Sequence, residues 1–227
     1  IVQRKHKTRS ELIFLFLVIS VAMWHFGNTI SLFSFILFGK YFLPVNFVAA
    51  AISYAGIGFM PSLLLHTAVS FLFESNPQIK KSPQRLIVMA IYLPVIPFSM
   101  VIKKFITFEA PDLIATTSNY VKPFVFWLIL SLFIAAGISR WLSTMVDEKE
   151  ERKFHLAIFW VVTIIAVFIG FTVLLDGNKI PYGGDYLVLV SMLSSIFPSI
   201  IFSYYVYRYN YMEFVLRRSV FYSFLTL

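Results

Sequence analysis

The chain of 227 residues contains no cysteine. Disulfides, thiol catalysis and cysteine-based metal sites are thereby excluded. Charge is scarce as well. Asp, Glu, Lys and Arg make up 13% of the residues, against about 25% in an ordinary soluble domain. Histidine occurs four times, at His6, His25, His66 and His155, with no second ligand at metal-binding spacing. A His-Glu-x-x-His pair, a Gly-x-Ser-x-Gly elbow and a phosphate-binding Gly-rich loop are all missing.

What remains is apolar. Hydrophobic residues reach 59%, Phe alone numbers 26, and mean hydropathy is +0.81. The apolar residues collect in six long runs, over residues 12–38, 42–73, 86–101, 123–138, 154–175 and 186–207. None of them contains Asp, Glu, Lys or Arg. About 18 or more uncharged, mostly apolar residues cross a hydrocarbon core of roughly 30 Å. The two shorter runs reach that span because flanking side chains snorkel to the interface. The expected fold class is therefore an all-α integral membrane protein, a polytopic helical bundle with six spans visible.

The formal charge of +8 would fit nucleic acid only if the cations clustered on a folded surface. They alternate with the runs instead. One set of loops carries Arg4, Lys5, Lys7 and Arg9; Lys80, Lys81 and Arg85; Arg140, Lys149, Arg152 and Lys153; and Arg208, Arg217 and Arg218. The other set carries Lys40, Lys103, Lys104, Lys122 and Lys179. Positive residues in short loops resist translocation, so the basic set is expected in the cytoplasm. The excess is a topology signal and an anchor to anionic lipid. No nucleic-acid partner is expected.

Neither end of the sequence reads as a natural terminus. It starts Ile1-Val2-Gln3-Arg4 and stops within the apolar stretch Phe221-Tyr222-Ser223-Phe224-Leu225-Thr226-Leu227. Residues 1–10 read as a cytoplasmic basic loop after an earlier span, which would make seven in all. Residues 11–209 read as the membrane bundle, and 210–227 as an amphipathic juxtamembrane helix. Between the runs, residues 74–85, 105–120, 147–153 and 176–185 read as loops. Pro61, Pro94, Pro97 and Pro198 interrupt spans. A proline removes a backbone donor and clashes with the preceding turn, so bends are expected there. Tyr204, Tyr205, Tyr207, Tyr209 and Tyr211 form an interfacial aromatic belt at the exit of the sixth run.

Polar groups inside spans are the place to look for function. His25 and Asn28 are three residues apart, share one helix face, and fall near the middle of the first span. His66 follows Pro61 by five residues, with Ser62 one turn above it. These four are the candidate ligand-binding residues; the bland alternative for each is an interhelical hydrogen bond worth about 0.6–2 kcal/mol. No ionisable carboxylate or amine sits in the core of any span, whereas ion-coupled pumps and transporters generally need one. No cofactor is expected.

At the end of the sixth run the sequence becomes recognisable. Phe197-Pro198-Ser199-Ile200-Ile201, then Tyr204, Tyr207-Arg208-Tyr209-Asn210-Tyr211-Met212-Glu213, Val215-Leu216-Arg217-Arg218-Ser219, Tyr222 and Leu225-Thr226 resemble the end of the seven-helix sensor region that precedes bacterial histidine kinases. Phe59-Met60-Pro61-Ser62-Leu63-Leu64-Leu65-His66 and Phe71 are similar to that family's third span. Leu72-Phe73-Glu74 stands where the family usually places a proline after the phenylalanine.

The resemblance implies a signal-input module of a two-component sensor kinase in the bacterial plasma membrane. Pro61, Pro198, Tyr207, Arg208, Arg217 and Arg218 would relay the signal. Membrane lipid and a small or apolar ligand are the expected partners. The output region would pair two copies and hold the kinase activity, so this stretch is not itself an enzyme. A small-solute transporter or channel is the alternative; it requires a polar path through the bundle and two related halves.

Overall fold

The structure is a computed structural model that describes residues 9–39, 43–75, 81–107, 113–147 and 149–174. Six α-helices account for nearly all of them, and no strand occurs among the described residues. They are α1 (Arg9–Phe38), α2 (Leu43–Ser75), α3 (Lys81–Tyr92), α4 (Val95–Ile106), α5 (Leu113–Met145) and α6 (Lys149–Leu174). Helices are what such a sequence must form in lipid, because no water is available to satisfy an open backbone. Five segments are long and apolar enough to cross a membrane: Leu12–Phe38, Leu43–Ser75, Pro83–Ile106, Pro123–Met145 and Glu151–Gly170. The sixth run, 186–207, and with it Pro198, Tyr207, Arg208, Arg217 and Arg218, lies outside the described residues, as do residues 1–8.

The spans alternate in direction. α2 is the central helix and packs against α1, α4 and α5, while α6 packs on α5. The first turns of α1, α3 and α6 and the last turns of α2 and α5 gather at one end, which carries Arg85, Arg140, Lys149, Arg152 and Lys153. Lys103 and Lys104 occupy the last turn of α4 at the other end, where a cation meets the negative end of the helix dipole. At the basic end the Arg152 guanidinium donates to the Val146 carbonyl at 3.1 Å, satisfying one of the carbonyls that the end of α5 leaves open.

The loops are shorter than the hydropathy alone suggests. The expected outer loop at 105–120 contains helix at both ends, since α4 runs to Ile106 and α5 starts at Leu113. α1 closes on Gly39 with φ +63°, the left-handed conformation that glycine adopts without a Cβ penalty. Of the expected bends, Pro61 lies inside one continuous helix. Pro97 sits in the first turn of α4, where a missing N–H costs little. Pro94 does break its span, separating α3 from α4. It has no N–H for the Ala90 carbonyl, which takes the Leu93 N–H at 3.3 Å, and the Ile96 N–H then reaches back to Leu93 at 3.2 Å.

The α1–α2 seam is built from small residues. On α1, Ile13, Leu17, Ser20, Trp24, Gly27, Ser31 and Ser34 follow the alternating four-and-three spacing of a heptad, and Asn46, Ala49, Ser53, Gly56, Met60 and Leu63 do so on α2. That is the period of two antiparallel helices meeting along one stripe. A Cβ on Gly27 would run into the Ser53 hydroxyl and the Ala49 carbonyl. One on Gly56 would stand 2.5 Å from the Ser20 carbonyl oxygen and from the Trp24 amide nitrogen. Hydrocarbon tails are as apolar as leucine, so close packing and interhelical hydrogen bonds, not burial from water, hold membrane helices together. Here Ser20 donates to the Gly56 carbonyl and Ser31 to Asn46 Oδ1.

Large apolar side chains cover the outside. Phe26, Leu32, Met89, Phe126, Trp160 and Ile164 are all exposed, which suits a lipid-facing waist and no aqueous surface. Inside, Ile13, Phe14 and Leu17 of α1 meet Leu63 of α2, Leu132 and Ala136 of α5, and Phe154, Ile158 and Val162 of α6. A second cluster of Phe47, Ala51, Val101 and Phe105 joins α2 to α4.

Candidate functional site

Eight residues of α2, Ser62, Leu63 and then Leu65 through Ser70, are buried, and four of them, Ser62, His66, Thr67 and Ser70, are polar. Ser62 is fully buried. Its hydroxyl donates to the Ile91 carbonyl at 2.7 Å and lies 3.4 Å from the indole Nε1–H of Trp127 on α5. One turn on, His66 Nδ1 and the Tyr92 hydroxyl share a hydrogen bond of 3.0 Å, with the two rings edge-on at 5.6 Å. Thr67 turns back on its own helix, donating to the Leu63 carbonyl.

This junction ties α2, α3 and α5 together at the point where the third span is broken. Ile91 and Tyr92 form the last turn of α3, immediately before Leu93 and Pro94. Leu65, Val69 and Ile91 close the apolar side, with Phe73, Trp127 and Ile138 against them. On the side of the basic end lies an open cavity of about 140 Å³, lined by His66, Ser70, Phe73, Glu74, Gln84 and Val88. It combines a hydrogen-bonding ring, a hydroxyl, an amide, a carboxylate and an aromatic face. Such a lining suits a small polar ligand held by a few directed contacts.

His25 and Asn28 stand elsewhere. Asn28 Oδ1 accepts the Ser53 hydroxyl at 3.2 Å, and Ser53 also reaches the Trp24 carbonyl at 3.2 Å. His25 stacks at a tilt on its neighbour Trp24, with centroids 4.9 Å apart, and its carbonyl accepts from Thr29. Ser53 and Ser62 are nine residues apart on one helix, a separation of about 13–14 Å. The four sequence-predicted residues thus do not converge: Asn28 meets Ser53 at the α1–α2 seam, His25 stacks on its own helix, and Ser62 and His66 share the α2–α3 junction.

Tyr92, Trp127 and the Ile91 carbonyl escape a reading of the sequence. Their partners lie 26, 65 and 29 residues away, and no local pattern marks them. The small-residue heptad of α1 and α2 does have a legible signal, in the sevenfold spacing of Ser20, Gly27 and Ser34. His155, at the start of α6, is another buried histidine. Its ring sits against Phe71 at 5.7 Å and Phe154 at 5.4 Å, with Glu151 Oε1 4.0 Å from Nε2. Among the described residues, no three histidines or carboxylates converge as metal ligands. No family model, curated protein or solved structure matches the chain.

Proposed function

We propose that the chain is the membrane-embedded input region of a two-component sensor histidine kinase, relaying a small-ligand or membrane signal to a cytoplasmic output domain. One observation carries the reading: a buried polar junction joins three helices at a proline break and borders a cavity. A ligand shifts a conformational equilibrium only by its difference in affinity for the two states. The broken third span supplies an element able to take two positions. A ligand that touches His66 and Ser70 on α2 together with Gln84 and Val88 on α3 would favour one setting of α3 against α2.

The asymmetry of the cations supports a cytoplasmic location for the end at which this cavity opens. Both ends of the chain then lie inside, and the membrane is the plasma membrane of a bacterium. The sixth span would pass the shift through Pro198, Tyr207, Arg208, Arg217 and Arg218. The resemblance of residues 197–226 to the exit of such sensor regions supports the same output, and the kinase chemistry belongs to that output.

The test uses the full-length native protein in lipid vesicles supplied with ATP. A phosphohistidine should form, and His66→Ala should change its rate of formation while the bundle still unfolds cooperatively. Absence of any phosphohistidine would overturn the kinase reading. Flux of a solute through the same vesicles would replace it with a transporter.

A further inference from the structure

The cavity at the α2–α3 junction lies between two rows of side chains in register. On α2, His66, Ser70 and Glu74 recur every four residues. On α3, Tyr92, Val88 and Gln84 do so in the opposite direction. The His66–Tyr92 hydrogen bond of 3.0 Å pins the two rows together at one end. Ser70 and Val88 come next, then Glu74 and Gln84. All of these except Tyr92 line the cavity, and Phe73 joins them. At 1.5 Å per residue, the cleft runs about 12 Å along α2 from His66 to Glu74. It is closed by a bonded pair and opens toward the basic end. Exposure is graded along it, since His66 and Ser70 are buried and Glu74 is exposed. Ser70 and Val88 are the smallest side chains of their rows, and that leaves the space.

We propose that this cleft binds an organic ammonium ion of about six heavy atoms, with the ammonium on the Glu74 carboxylate. The inference rests on the reading of the cleft as the sensor's ligand site, and it adds the class of ligand. Size follows from volume. The cleft holds about 140 Å³, close to the roughly 150 Å³ cavity that accepts benzene. Sign follows from the lining. Glu74 brings a negative charge, and among the described residues neither lysine nor arginine lines the cleft. Phe73 adds a ring, and the face of a ring attracts a cation. An anion would meet the carboxylate with no opposite charge in the lining to offset the repulsion. The His66 imidazole and the Ser70 hydroxyl serve a polar group at the far end of the ligand, and Val88 serves its apolar middle.

Glu74 stands at the end of the Leu43–Ser75 span, so an ammonium can reach it from water or from the lipid surface. A dissolved amine and the ethanolamine headgroup of a phospholipid carry the same group to the same carboxylate. A hydrogen bond to an ionised group is roughly twice as strong as one between neutral groups. The charge is therefore worth about tenfold in affinity over a neutral ligand of the same shape.

The experiment uses the full-length protein in a neutral maltoside detergent, which carries no ammonium of its own. Saturation-transfer NMR titrates putrescine, its neutral counterpart 1,4-butanediol and the dianion succinate. Putrescine should bind about tenfold more tightly than the diol, and succinate should bind more weakly than either. Glu74→Gln, at an exposed position where folding is not at stake, should bring putrescine and the diol close to equal. Ser70→Leu fills the middle of the cleft and should abolish putrescine binding. Added phosphatidylethanolamine displaces putrescine if the headgroup is the native source; if the source is a dissolved amine, it displaces no more than phosphatidylglycerol does. Putrescine binding no tighter than the diol, a preference unchanged in Glu74→Gln, or tighter binding of succinate would overturn the proposal. Binding is read without ATP, so the two readings fail separately. A protein that binds putrescine and forms no phosphohistidine keeps this site and loses the kinase. One that forms phosphohistidine and binds no amine loses this site alone.

Discussion

His66 on α2 and Tyr92 on α3 share a 3.0 Å hydrogen bond, and Tyr92 stands two residues before the proline that breaks its span. The contact therefore sits at a joint. Its loss would loosen α3 from α2 without disturbing the α1–α2 seam, which uses other residues. Tyr92→Phe keeps the ring and removes the hydroxyl. We expect it to lower unfolding stability by about 1 kcal/mol, the usual worth of one such bond between membrane helices, as read by thermal unfolding in detergent. If the junction transmits a signal, the same variant should alter the output of the full-length protein far more than this small loss of stability would.

Ser62 carries a second load. Its hydroxyl serves the Ile91 carbonyl and receives the Trp127 indole, and the site is fully buried. Ser62→Ala should cost about 1–2 kcal/mol, because a buried carbonyl loses its side-chain donor. Tryptophan emission should change with it. Unfolding indistinguishable from wild type would show that the carbonyl needs no hydroxyl at this point.

Pro94→Ala would return an N–H to the Ala90 carbonyl and permit one helix from Lys81 to Ile106. Tyr92 would then be held in a straight ladder in place of the end of a turn. Amide exchange at residues 93–97 should slow markedly, since two three-residue bonds would be replaced by four-residue ones. Spin labels on Val88 and Met100 should report a changed distance. Exchange as fast as in the wild type would mean that something other than the proline keeps the span broken.

Gly27→Ala and Gly56→Ala each insert one methyl group where backbone and hydroxyl atoms already touch. α1 and α2 must separate, and the expected cost is about 1–3 kcal/mol apiece, as for overpacked cores. Gly137 and Gly170 make useful contrasts, because a Cβ on either meets nothing within 4 Å. Alanine at those two positions should be neutral, or stabilising by up to about 1 kcal/mol through helix propensity. Equal effects at all four would contradict the close seam.

His25→Ala should leave stability within about 0.5 kcal/mol of wild type, since the ring is half-exposed and stacks on Trp24 of its own helix. Thermal unfolding decides it. If His25→Ala and His66→Ala both change the output, the first span as well as the junction takes part in signalling.

Much of the bundle is legible in the residues. The spans over Leu12–Phe38 and Leu43–Ser75 follow from uncharged length alone, and the break at Pro94 follows from proline chemistry. At Pro61, α2 runs on through the proline as one helix, and Pro97 stands in the first turn of α4, which has no donor to lose. The helical stretch starting at Leu113 is hard to foresee because Thr116, Thr117, Ser118 and Asn119 look like loop. His25 and Asn28 stand three residues apart on one helix, yet a helix face has no address until its neighbour is known.

Sequence alone decided the solvent. Long uncharged runs cannot rest in water, and a backbone in hydrocarbon must bond to itself, so helices apolar and long enough to cross a membrane were the outcome. Only the folded bundle decided which polar groups meet. Side-chain period names the direction a residue points around its helix, but not which helix stands there. For that reason Ser62, Tyr92 and Trp127 became one junction only when α2, α3 and α5 came together.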